Sequence, residues 1–211
     1  YKMALALRVK ENSDKFIESI EDVERGYREL YDKNTQNSMA AYLLARTIFY
    51  KIHFKQSENR KKDAIEINKI LDEALSRSPD NASILAFKAF FVEAFSFFIG
   101  VTPQEARVFG KETIKKAVKI GSDNSNTLFR SGVYYAIIGN SKQAITLLEK
   151  ALRIAPFGPE KIRRFLCRTY IGGFDYESAE KSALELISFS DKRSVFLGTV
   201  FLTHIKLKMN K

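Results

Sequence analysis

The sequence predicts an all-α protein of about ten helices stacked in antiparallel pairs. Three observations lead there. A stretch of helical pattern recurs after 34 residues. The chain of 211 residues holds only ten Gly and four Pro, too few breakers for the tight turns that a sheet protein needs. Where apolar residues are periodic, as at Phe16, Ile20, Val23, Tyr27 and Leu30, they recur at three and four, which lines one helix face.

In chain order, Tyr1, Met3, Leu5, Leu7 and Val9 alternate with Lys2, Ala4, Ala6, Arg8 and Lys10. That is strand periodicity, with a helix as the alternative. The stretch is expected to be the tail of a preceding domain, because the first residue is Tyr and the chain reads as a piece of a longer protein. It carries Lys2 and Arg8 and lacks the continuous apolar core of a signal peptide. An amphipathic helix follows from about Asp14 to Asp32, and Asp32–Asn37 is a polar linker. Residues 1–37 are therefore assigned as an N-terminal extension with a helix, and 38–211 as one helical array. Within the array Gln56–Lys62 is read as a polar connector between two long helices.

Three segments then align: Asp72–Pro79, Lys115–Ser122 and Glu149–Pro156. In the last two, Ile114 maps onto Leu148, Ala117 onto Ala151 and Ile120 onto Ile154. The unit Ser125–Pro156 places Leu128, Gly132 and Tyr135 on its first helix and Ala144, Leu148 and Ala151 on its second. Gly132 and Ala144 are small where two antiparallel helices touch. Gly139 offers a left-handed cap that stops the first helix, and Pro156 cannot continue the second. The unit Ala82–Ser122 is stretched by the connector Gly100–Pro103. In Pro159–Ile187 the pair Gly172-Gly173 makes the turn, and Ala179, Ala183 and Leu186 repeat the second-helix spacing. Lys192–Met209 reads as a terminal helix that closes the stack with a polar outer face.

The spacing and these residues resemble the tetratricopeptide repeat (TPR) family. The resemblance covers Ser38 to Ser188 and implies a TPR-like α-α superhelix, a right-handed solenoid. The order of features narrows it. The opening Ala40–Arg46 helix, the first unit ending Ser78-Pro79-Asp80, and the Pro103–Arg107 connector resemble regulatory TPR arrays of bacteria. Such arrays follow a winged-helix domain in virulence activators of the OmpR/ToxR type, or a catalytic domain in class III adenylate cyclases. That implies a cytoplasmic, non-catalytic regulatory module of a bacterial transcription regulator. The alternatives are a TPR-type secretion chaperone, against which the extra N-terminal helices count, or the regulatory part of an adenylate cyclase.

No catalytic constellation stands in the sequence. The single Cys167 has no neighbouring base, and His53 and His204 are remote from it and from each other. Neither histidine has coordinating company, so no metal and no cofactor are expected. The most apolar stretch, Ile84–Val101, carries Lys88 and Glu93 in its middle and reads as a buried helix, without a membrane span.

What remains is a binding surface. In the family the first helix of each unit lines a concave groove, and the resemblance carries particular positions onto this chain. They are Phe87, Phe90 and Glu93 in one unit, then Asn126, Phe129, Arg130 and Val133. The last unit contributes Arg163, Arg164, Cys167 and Tyr170. The groove so implied has an aromatic end and a basic end, with packing into the core as the alternative for Phe87, Phe90 and Phe129. Residues 125–211 carry 14 basic and 7 acidic side chains, against 21 and 18 in residues 1–124. Arg130, Arg163 and Arg164 are expected to converge on an acidic peptide or other protein partner. Direct nucleic-acid binding is the disfavoured competitor, and self-association is compatible with the array.

Overall fold

The computed structural model describes residues 2–34, 36–54, 59–155, 159–189 and 191–209, with residues 2–17, 53 and 54 described by their backbone only. Ten helices run through them: α1 Lys2–Lys33, α2 Ser38–Phe54, α3 Arg60–Arg77, α4 Ala82–Ile99, α5 Pro103–Ile120, α6 Ser125–Ile137, α7 Ser141–Ile154, α8 Pro159–Gly172, α9 Tyr176–Ile187 and α10 Lys192–Met209. Each packs against its neighbours in sequence. The helices α4, α6, α8 and α10 also touch one another in succession, forming an inner layer.

Local chemistry starts the helices. Asn81, Asn124, Asn140 and Asp175 each accept a hydrogen bond from the backbone amide three residues on, capping α4, α6, α7 and α9. Thr102 and Glu105 close a reciprocal capping box at α5, with Pro103 as its first residue. Between α6 and α7 the chain reverses through Gly139 at φ 80°, a left-handed conformation that a side chain resists. Gly132 sits where these two helices meet. A Cβ there would lie 2.7 Å from Leu148 Cγ and 3.2 Å from the Ala144 carbonyl.

Two readings change. Residues 2–10 are not a strand: α1 begins at Lys2 and runs unbroken to Lys33, and Tyr1 lies outside the described residues. Ala4, Leu5, Ala6 and Leu7 are strong helix formers, and an alternating stretch without a strand to pair with gains nothing from its alternation. The connector placed at Gln56–Lys62 is shorter at its C-terminal side, since α3 starts at Arg60; residues 55–58, like Pro156, lie outside the described residues.

The core is aromatic at one end. Phe49 of α2 meets Phe87, Phe90 and Phe95 of α4 edge-on, at centroid distances of 5.6, 5.6 and 5.8 Å. By length and composition α4 could cross a membrane, but Ile84 through Val92 are all buried in the helical stack. Its charges are matched. Lys88 Nζ donates to the Asn68 carbonyl and side chain and lies 2.9 Å from Asp72, while burial pushes its pKa down. Glu93 accepts two hydrogen bonds from Arg107 of α5, at 3.0 and 2.7 Å.

Candidate binding groove

The inner layer leaves a cavity of about 1510 Å³ on its concave side. Successive helices contribute residues three and four apart, so that one face of each looks inward. On α2 these are Leu43, Arg46, Thr47 and Tyr50, and on α6 they are Phe129, Arg130, Val133 and Ile137. On α8 they are Lys161, Arg164, Phe165 and Arg168. Phe90 of α4 adds to the wall, and Tyr27 of α1 and Arg193 of α10 reach it from the two ends of the stack. Six cations line the cavity, and no Asp or Glu is among the described residues that do.

The cations divide by depth. Arg164, Arg168 and Arg193 occupy the more open part, and Arg168 lies over the Phe165 ring. Arg130 is at the floor, only 5% exposed, with its guanidinium over the rings of Phe87, Phe90 and Phe129 at 5.0, 5.8 and 5.8 Å. Such stacking is favourable when desolvated, but burial still pushes the Arg130 pKa down. Its Nε has no hydrogen-bond partner, and neither has Nε of Arg46. Lys161 Nζ donates to the Tyr50 hydroxyl at 3.2 Å and stands 5.2 Å from the Phe129 centroid. Burial and the nearby Arg130 push Lys161 down.

Of the residues carried over to the groove, Phe90, Phe129, Arg130, Val133 and Arg164 line this cavity. Phe87 does not: it is fully buried between Tyr42, Phe49 and Phe91, a support beneath Arg130. Asn126 donates to the Tyr42 hydroxyl at 3.0 Å, tying α6 to α2. Arg163 turns to α9, where Glu185 pairs with it, so Arg163 and Arg164 do not converge. Tyr170 donates to Glu149 of α7 at 2.7 Å. Glu93 is held by Arg107, and Cys167 is fully buried, its Sγ directed at the Ala179 carbonyl, with burial pushing the thiol up to about 12. The placements of Cys167 and Tyr170 share one cause. On α8 the face bearing Cys167 and Tyr170 packs outward on α9 and α7, and the face starting at Lys161 looks in.

Sequence reasoning missed Arg46, Tyr50, Lys161 and Arg168. The spacing of Lys161, Arg164, Phe165 and Arg168 was a usable signal, because it repeats at three and four. Among the described residues no three His, Cys, Asp or Glu side chains come together in a way that could hold a metal ion.

Helix pairs around a concave inner layer define a TPR-like α-α superhelix. The comparison with solved structures agrees: TTC0263, a thermophilic TPR protein of Thermus thermophilus, matches with a TM-score of 0.66 and 17% identity, over 98% of this chain and 96% of that one. MamA is a more distant likeness, with a TM-score of 0.47 and 15% identity over 83% of this chain and 86% of its own. At such identities the likeness is one of fold. No protein-family model matches the chain, and no curated protein matches it in sequence.

Proposed function

We propose that the chain is a non-catalytic protein-interaction module whose concave groove receives an acidic peptide. The observation that carries this reading is the groove's charge: six cations beside Phe90, Phe129 and Phe165, with no Asp or Glu among the described residues that line it. Arginine forks bind carboxylates with two parallel charge-assisted bonds, and aromatic rings beside them supply apolar anchoring. The cavity of about 1510 Å³ also exceeds the ~300–1,000 Å³ of small-molecule sites, which favours a peptide of several residues. We further propose that the module works in the cytoplasm as the partner-binding part of a bacterial transcription regulator. The order of features from Ala40 through the Pro103 connector supports that placement.

The test is selection of a displayed random-peptide library on the chain, with Arg164→Glu plus Arg168→Glu as the comparison. Peptides enriched in Asp and Glu, lost on the double variant while its helical circular dichroism persists, are expected. Enrichment of neutral or basic peptides, or retention by the double variant, would refute the groove reading. A parallel DNA-binding assay identifies the competing ligand: loss of DNA binding alone would reassign the same patch to nucleic acid.

A further inference from the structure

At the floor of the groove three cations surround one oxygen. Lys161 donates to the Tyr50 hydroxyl, and Arg46 and Arg130 lie close enough to act on the same oxygen. Arg130 also repels both Arg46 and Lys161. Among the described residues none of the three pairs with an Asp or Glu, although other partly or fully buried cations do. Lys88 has Asp72 and Asn68, Lys51 has Glu24, and Arg77 has Glu73. A buried cation without a counter-ion is costly, and Lys88, Lys51 and Arg77 each have one. At the floor no described residue is such a counter-ion, and the Nε atoms of Arg46 and Arg130 stay unpartnered.

We propose that this floor is a seat for a phosphomonoester group carried on the peptide that the groove receives. The proposal rests on the peptide-groove reading and names the group that would occupy its deepest point. A carboxylate would neutralise one of three cations and leave the others buried. A phosphomonoester brings a charge of about −1.5 to −2 and three acceptor oxygens, enough for two guanidinium groups and an ammonium at once. Phe90 and Phe129 flank the seat with apolar rings, and a less polar surrounding strengthens each charge-assisted bond. Tyr50 is the chain's own partial answer to the uncompensated charge. Its hydroxyl is pushed up by burial, yet Lys161, Arg130 and Arg46 together bring it down to about 7. A phosphate oxygen draws on the same three cations, so its arrival returns Tyr50 toward the ordinary tyrosine range.

The experiment offers the chain three oriented peptide libraries, degenerate except for a central phosphoserine, glutamate or serine. Retention of the phosphoserine library about tenfold above the glutamate library is expected. Adding that library should also reduce phenolate absorption from Tyr50. Lys161→Gln, at a partly open position, should abolish the preference while its helical signal persists; Arg46→Gln is the second variant if the first fails to fold. Equal retention of the glutamate library would overturn the phosphomonoester while leaving the groove reading intact. Retention of none of the three would overturn both. Inorganic phosphate that binds as tightly as the phosphoserine library would overturn the peptide as the carrier.

Discussion

Tyr50 should ionise well before Tyr134 and Tyr170 as pH rises. Burial alone would delay it, but Lys161 and Arg130, with hydrogen bonding from Arg46 and Lys161, outweigh burial and bring its hydroxyl from 10.0 to about 7. Tyr134 moves the other way, to about 12, because burial is reinforced by Glu93; burial and a bond to Glu149 raise Tyr170 as well. A spectrophotometric titration should therefore show a phenolate that forms at about pH 7. Stability follows from proton counting. An unfolded Tyr50 keeps its proton up to about pH 10, whereas the folded one has lost it above about 7. The unfolded chain binds more protons in that window, so stability rises with pH across it and is lost as pH falls through 7. At full strength the difference from 10.0 to about 7 corresponds to about 4 kcal/mol. Tyr50 is partly open to the groove, and solvent screening reduces this to about 2 kcal/mol. The assay is a pair of denaturant melts at about pH 7 and about pH 9, on the chain and on Tyr50→Phe. The variant should lose both the early phenolate and most of the gain in stability. If chain and variant titrate alike below about pH 9, the three cations do not act on that oxygen and the description of the groove floor is wrong.

Other consequences are open to direct measurement. Gly132→Ala should destabilise by about 1–2 kcal/mol, as overpacking against Leu148 and the Ala144 carbonyl outweighs better helix propensity. Gly26→Ala, with open space around it, should instead stabilise by about 0.5–1 kcal/mol; thermal melts that rank the two the other way would contradict the α6–α7 contact. Phe174 takes φ 62° on an exposed turn, so Phe174→Gly should raise stability by about 0.5–1 kcal/mol, and a lower melting temperature would count against that backbone. Cys167, fully buried with its thiol pushed up to about 12, should resist thiol reagents in the native chain and react only on unfolding. Labelling at the same rate in both states would place it wrongly.

Much of the fold was legible because its signals are local. Gly139 takes its left-handed turn for reasons contained in three residues. Gly132 and the Ala144–Ala151 spacing need only one neighbouring helix, so the α6–α7 pair followed from its own repeat, and Lys192–Met209 followed from its own length and pattern. Tertiary structure decided which face of each helix turns inward. On α8 the rotation of the helix about its axis decides that Arg164 lines the groove while Arg163, about 100° away around the helix, pairs with Glu185. That rotation depends on how α8 crosses α7 and α9, which no residue of α8 specifies alone. The floor lies further still from sequence reasoning. Arg46 and Tyr50 come from α2, Arg130 from α6 and Lys161 from α8, and only the curvature accumulated over successive helix pairs brings them around one oxygen.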